Sequence, residues 1–410
     1  MTHDQNDGAT APAPETASLS ANGAPVKPAG QPGFVSFFAR LSLFFAAFFV
    51  LIGIHTPFFP VWLAANGLDA REIGIVLAAP PLVRFFVVPF VTRLADRRNA
   101  VRPVLVLCIW ATLAGYVAIS LSSGFAAILL TVSLMAVPYA PNMPLADAYA
   151  LRGLKDRRLY GPVRLWGSVS FIAASIGGGY LFDLMAAKDL ILLIVGAAFA
   201  TALSSLALPP LEPHAPEDQI KVPATQLLRQ HGFVAILFAA SLIQGSHSLY
   251  YGFSTIAWKA AGLDGVTIGF LWSFGVVAEI VLFALSRRLP PALGPLGLML
   301  IGAAAATIRW TAMAFDPPGW ILPSLQALHG LSFGATHLGT IGYLANAAPK
   351  NLGATAQGYL YVVMSAVLAA TLGLSGFLFS AFGALGYLGM ALVAVAGGLC
   401  VLAARPRSQG

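Results

Sequence analysis

Gly67-Leu68-Asp69, followed by Ile73-Gly74, recurs 195 residues later as Gly262-Leu263-Asp264, followed by Ile268-Gly269. One register carries both matches, so the chain reads as two halves built alike. Carried forward, the same offset sets Arg84 opposite Glu279 and Arg93 opposite Arg288. Each half thus places one ionisable group at the same depth of its second apolar stretch, with opposite sign. Between the halves runs a polar stretch that starts after Pro209-Pro210 and carries Glu212, Glu217, Asp218 and Lys221.

The segments between these markers are long and apolar. Of the 410 residues, 58% are hydrophobic and 10% charged, where soluble proteins carry about 25% charged residues. Runs near 20 residues long suffice to cross about 30 Å of hydrocarbon as helices. Twelve are expected: 34–63, 73–92, 104–121, 125–150, 161–185, 190–208, 233–257, 267–285, 293–314, 320–345, 354–380 and 385–403. They are continuous rather than alternating, which excludes a spanning β-barrel. The expected fold is an all-α membrane protein of twelve transmembrane helices in two six-helix bundles. A disordered tail at 1–33 precedes a bundle at 34–209, a linker at 210–230, a second bundle at 231–404 and a short tail at 405–410. Residues 1–33 lack the basic start and apolar core of a signal peptide and are too polar to bury.

The net charge of +7 does not indicate nucleic acid. Fifteen Lys and Arg fall in the tails and loops on the side of the termini, among them Arg93, Arg97, Arg98, Arg152, Arg157 and Arg288. Only Arg71, Lys188 and Lys259 fall on the other side. This asymmetry places both termini in the cytoplasm, with a bacterial inner membrane as the expected location and a monomer as the expected unit. Cys108 and Cys400 both sit in apolar stretches, as small hydrophobes rather than a disulfide.

Ionised groups inside hydrocarbon are costly and normally face a bundle interior or a substrate path. Arg40 can snorkel from the start of its stretch, but Arg84 and Glu279 lie mid-span, and Asp147, Arg164 and Arg309 join them. Gln244, His247 and Tyr251 fall at i, i+3 and i+7 of the seventh stretch, one helical face. Interhelical hydrogen bonding alone would also account for them. His329 and His337 are eight apart, which is not a helical metal pair, and no metal or cofactor is expected. Pro57 after His55-Thr56 should kink the first span, and Pro138, Pro141 and Pro144 should bend the fourth near Asp147.

A parallel six-plus-six repeat resembles the major facilitator architecture. Thr92-Arg93-Leu94-Ala95-Asp96-Arg97-Arg98 is similar to that superfamily's signature between spans two and three, with Thr92 and Asn99 where glycine is preferred. The resemblance implies that Asp96 pairs with basic groups to stabilise one orientation of the halves. Asp96, Arg97 and Arg84 are the candidate gating residues, and the symmetric Pro291 carries no acid. Pro144 with Asp147, then Tyr160-Gly161-Pro162-Val163-Arg164-Leu165-Trp166-Gly167-Ser168, resembles the oligosaccharide and lactose permease branch. There a span-four carboxylate and a span-five arginine bind substrate. The wording Arg164-Leu165-Trp166-Gly167-Ser168 is similar to the 3-phenylpropionate transporter family. So are the stretches 244–254 and 271–279, and Leu328-His329-Gly330.

What the resemblance implies is secondary transport, a proton-coupled uptake of a small aromatic carboxylate by alternating access. Arg84, Arg164 and Arg309 against Asp147 and Glu279 leave one excess positive charge for a carboxylate to neutralise. The candidate substrate-binding residues are Asp147, Arg164, Trp166, Gln244, His247, Tyr251, Trp272 and Arg309, with the ring against Trp166, Tyr251 or Trp272. Glu279 should lie near Arg164 across the halves. Glu279 or Asp147 is the candidate proton carrier, with His247 or His329 next. Lactose permease has a proton-handling carboxylate three residues after its span-ten histidine, and here that position is Ser332. A sugar or nucleoside symporter of the same branch is the alternative, and a channel is a second competitor. Gly330-Leu331-Ser332-Phe333-Gly334 also matches the Gly-x-Ser-x-Gly of serine hydrolases, but that motif needs a strand–turn–helix elbow and here lies within an apolar helix. Small residues at that spacing more often permit close helix packing.

Overall fold

The computed structural model describes residues 34–212, 225–349 and 352–405, and nearly all of them are helical. The expected disordered tail at 1–33, most of the linker and residues 406–410 lie outside the described residues. The first bundle holds α1 (Phe34–Ala65), α2 (Ala70–Arg97), α3 (Val101–Ser120), α4 (Phe125–Gly153), α5 (Tyr160–Leu184) and α6 (Leu190–Leu206). The second holds α7 (Phe233–Ala260), α8 (Gly265–Leu285), α9 (Gly294–Met313), α10 (322–347), α11 (Gly353–Phe382) and α12 (Tyr387–Ala403). Among the described residues, ten stretches are both long and apolar enough to cross a bilayer, and one of them, Thr355–Ala403, contains both α11 and α12. The helix missing from the ten is α10, which carries Gln326, His329, Ser332, Thr336 and His337.

The repeat at 67 and 262 is a pair of identical helix joints. Gly67 and Gly262 adopt φ of +86° and +89°, a conformation open to glycine at little cost. The amide of Leu68 donates back to the Leu63 carbonyl at 3.3 Å, and that of Leu263 to Trp258 at 3.0 Å. Both are six-to-one Schellman closures of the preceding helix. Asp69 then accepts from the Glu72 amide at 2.9 Å, and Asp264 from Thr267 at 2.7 Å, so each aspartate caps the next helix.

Three helices are interrupted. α4 breaks at Ala140–Pro141, as its prolines require. α7 breaks at Ser246–His247 without a proline, after Gly245, a Gly/Ser pair of the kind that kinks helices. α10 passes through a π-helical turn at Gly330–Ala335. The superfamily-like signature is not a loop, since α2 stays helical through Arg97.

Across the halves, α2 packs along α11, α5 along α8, and α1 against the second part of α7. At the face opposite the termini the backbones touch. A Cβ on Gly74 would stand 2.7 Å from the Gly376 Cα, and Gly179 meets the Gly265 carbonyl. Asp183 at the end of α5 accepts from Lys259 Nζ and from the Gly265 amide, each at 2.7 Å. Toward the termini the same helices part. There a cavity separates Phe85, Val88 and Pro89 of α2 from Gln357, Tyr361 and Ser365 of α11. The molecule is closed at the far face and open on the side of its termini.

Candidate functional site

The space left between the halves is a chain of three adjoining cavities. The first, about 260 Å³, lies between the termini-side ends of α2 and α11, walled by Phe85, Pro89, Pro144 and Tyr361 among others. The second, about 270 Å³, continues between α1, α2 and α4 against Phe48, Pro80, Tyr139 and Met143. The third, about 240 Å³, reaches His55, Phe59, Tyr251 and Leu372. Arg84 lines both of the first two, and Pro80, Tyr139 and Leu368 line the second and third. The break in α4 adjoins this path, and Pro80-Pro81 of the unbroken α2 line it.

Beside the second cavity, Arg164 of α5 meets Asp147 of α4 at 3.2 Å, and Tyr160 donates to the same carboxylate oxygen at 2.8 Å. Arg164 also approaches the Met143 sulfur at 2.9 Å and lies over the rings of Phe45 and Phe49. Both charged side chains are about one-third exposed. The pair expected from the sequence is therefore formed inside one half and borders the path.

The second bundle buries a polar cluster. Arg309 has no exposed surface, yet no carboxylate lies within 4.0 Å of it among the described residues. Its guanidinium meets His329 Nδ1 at 3.1 Å and Gln326 Oε1 at 2.5 Å, and lies 4.6 Å from the centroids of both the Tyr250 and Trp310 rings. Arginine can only donate, so His329 Nδ1 accepts and the imidazole proton sits on Nε2. That nitrogen points at Glu279 Oε2, 3.9 Å away. The adjacent His247 has Nδ1 against the carbonyls of Ile243 and Gln244 at 3.2 and 3.1 Å, which makes Nδ1 the donor. Its Nε2 accordingly accepts from Ser332 Oγ at 3.1 Å. His247 packs edge-on to His329 and Trp310, and Tyr251 stacks on Trp272 at 6.1 Å.

The structure thus gathers Arg309, His329, His247 and Glu279 in one cluster and adds Gln326, which the sequence reading missed. Gln326 lies three residues before His329 on the polar face of α10, and that spacing was its available signal. Several expectations need correction. Glu279 and Arg164 are not paired within 4.0 Å, yet Arg164 stands near enough across the halves for its charge to act on the Glu279 carboxyl. Trp166 cannot hold a ring beside Arg164, because two residues along a helix turn it about 200° away. It is 53% exposed. His247 and Tyr251 share a face, with their rings stacked at 5.9 Å, whereas Gln244 lies before the break in α7 and contributes its carbonyl to His247. Asp96 does pair with a basic group, Arg152 of α4 at 2.9 Å, within its own half. Arg97 is exposed beside it.

Ser332 lies on the π-turn, fully buried, rather than on an elbow. Its flanking glycines serve packing: a Cβ on Gly330 would stand 2.7 Å from the Ala278 carbonyl, and one on Gly334 2.9 Å from Leu282. Among the described residues, no three His, Cys, Asp or Glu side chains are placed to share a metal ion.

Residues 38–387 match the model of the MFS_1 like family. The chain is 32% identical over 362 residues to a probable 3-phenylpropionic acid transporter of Escherichia coli strain K12, covering 87% of this chain and 94% of that one. It is 29% identical to a maltose permease of Geobacillus stearothermophilus, covering 77% and 80% of the two chains. The nucleoside transporter NupG shares the fold with a TM-score of 0.76 at 17% identity, over 90% of this chain and 98% of that one. A bacterial homologue of the human lysosomal transporter Spinster, solved inward-facing and unoccupied, gives 0.67 at 13% identity, over 92% and 96%. The chain belongs to the major facilitator superfamily of membrane transporters, in its 3-phenylpropionate transporter family.

Proposed function

We propose that this transporter imports a small aromatic monocarboxylate, of which 3-phenylpropionate is the reference compound, together with a proton. The observation that carries the reading is the cavity path itself: aromatic, proline and aliphatic walls interrupted by an arginine, with no acid among its lining residues. A flat apolar ring with one anionic end matches such a lining, since sites of this kind use apolar walls and a few placed polar groups. A sugar or nucleoside presents several hydroxyls, and each one desolvated without a partner costs about 1–3 kcal/mol. The few polar side chains on the path, among them Thr56, Gln357 and Ser365, serve that alternative poorly. The name of the Escherichia coli relative supports the same choice.

Entry of an anion against an inside-negative potential is opposed by about 2.3 kcal/mol per charge per 100 mV. A proton moving with it removes that penalty. Glu279 is the carrier of choice, because its ionic neighbour within 4.0 Å is the neutral-capable His329, whose other nitrogen is held by Arg309. Rocking of the halves would change the distance between Glu279 and Arg164 of the opposing half, and so release or retain the proton. Ser332, where lactose permease has its carboxylate, is occupied with His247 and takes no part in the transfer. The basic loops favour a topology with both termini in the cytoplasm of a bacterial inner membrane, and on that topology the open side faces the cytoplasm. One monomer contains the whole path.

The test is uptake into proteoliposomes of a panel comprising 3-phenylpropionate, cinnamate, maltose and uridine. Saturable uptake of the aryl acids alone is expected. Accumulation of maltose or uridine without the acids would overturn the assignment.

A further inference from the structure

Of the three arginines within the membrane, two are already committed. Arg164 is held by Asp147 at 3.2 Å. Arg309 is wholly buried behind Tyr250 and Trp310, with His329 and Gln326 on its guanidinium, and lines none of the three cavities. Arg84 differs from both. It is half-buried and lines two adjoining cavities at once. Among the described residues its guanidinium donates no hydrogen bond, and no carboxylate lies within 4.0 Å of it. Its neighbour is the Tyr361 ring of α11, 5.4 Å below the guanidinium carbon.

We infer that Arg84 is the residue that takes the substrate carboxylate, with the ring in the adjoining cavity against Phe48, Pro80 and Tyr139. An arginine on a gate would be expected to meet an acid of the opposing half, and the lining contributed by α11 contains none. A charge in low-dielectric surroundings is stable only when compensated, and stacking over Tyr361 compensates it in part. The planar fork of guanidinium N–H groups left free by that stacking fits a carboxylate in a bidentate pair. Tyr361 belongs to the second half and Arg84 to the first. A carboxylate bound here would sit on the seam between the halves, where its binding senses their separation. Arg84 has this role only if the protein carries aromatic carboxylates, as proposed above.

The experiment is calorimetric titration of the purified full-length transporter in detergent with 3-phenylpropionate and with its neutral isostere 3-phenylpropanamide. Wild type is compared with Arg84→Gln and Arg84→Lys, each checked for a monodisperse peak and an unchanged melting temperature. Arg84→Gln should weaken binding of the acid at least about tenfold and leave the amide within about twofold, because one charged bidentate pair is lost. Arg84→Lys, keeping the charge but not the fork, should fall between them. Unchanged acid binding by Arg84→Gln would overturn the role of Arg84 alone and leave the aromatic-acid reading standing. Equal loss of acid and amide would show that Arg84 shapes the cavity rather than holding the carboxylate, and would also overturn it. If wild type binds neither compound, the aromatic-acid reading fails and the Arg84 assignment with it.

Discussion

Replacing Gly74 by leucine should pry open the face opposite the termini. A Cβ at this position would stand 2.7 Å from Gly376 Cα, 2.9 Å from Gly376 N and 3.1 Å from the Leu372 carbonyl. Carbon atoms pack best at about 3.5–4.0 Å. The first added carbon alone therefore demands roughly 1 Å of separation between α2 and α11, and the rest of the side chain demands more. Overpacking of this kind costs about 1–3 kcal/mol. The cost falls on the conformation in which the two helices touch, while a conformation with this face parted escapes it. The ratio of the two should shift by about 5- to 150-fold. The assay uses a Cys108→Ser, Cys400→Ser background with Thr56→Cys, a position lining the deepest cavity. A membrane-impermeant maleimide is added outside intact cells. The labelling rate should rise at least about fivefold in Gly74→Leu, and 3-phenylpropionate uptake should fall because closure on this side is needed in each cycle. An unchanged labelling rate in a variant present at parental abundance would refute the inference that this backbone contact is the closure.

Three further outcomes are expected. Asp183→Asn removes the charge that Lys259 and the Gly265 amide share; both side chains are partly exposed, so a loss of about 1 kcal/mol is expected, seen as a modest rise in the same external labelling. Arg164→Ala should abolish transport with near-normal membrane abundance, and Asp147→Asn with Arg164→Gln should restore any lost thermal stability without restoring uptake, since an unpaired half-buried carboxylate is then avoided; full uptake in Arg164→Ala would remove the pair from the mechanism. Single cysteines at Lys188 and Lys259 should react with impermeant reagent from outside, and those at Lys155 and Lys350 only after permeabilisation; the reverse pattern would invert the proposed topology.

Much of the fold could be read because membrane helices are written in runs of apolar residues, and because the two helix joints use residues with few substitutes. Gly67 and Gly262 need positive φ, and Asp69 and Asp264 need a short acceptor, so the same five positions recur in both halves. The prolines announced the break in α4. The break in α7 went unread because it has no proline, only Gly245-Ser246. The π-turn in α10 has no local signal among its small residues. Charged residues were easily found, yet their partners were not, since pairing depends on helix rotation and on which helices adjoin. The sequence pairs Asp147 with Arg164 and sets Glu279 near Arg164 across the halves, but it does not reveal His329 as the nearer neighbour of Glu279. Asp183 carries no signal in the sequence, because Lys259 and the Gly265 amide come to it from the other half. Trp166 was placed by its proximity in sequence to Arg164, which helical geometry reverses.

Proton movement driven by the substrate itself is the most direct measure of the central claim. Proteoliposomes in weak buffer, without an imposed pH gradient and with valinomycin and equal potassium to hold the potential at zero, are given 3-phenylpropionate while external pH is recorded. A substrate-dependent alkalinisation is expected from the wild-type protein and absent from Glu279→Gln, with 3-phenylpropionate still bound by that variant. Uptake of the compound with no pH change in the wild type would contradict proton-coupled import.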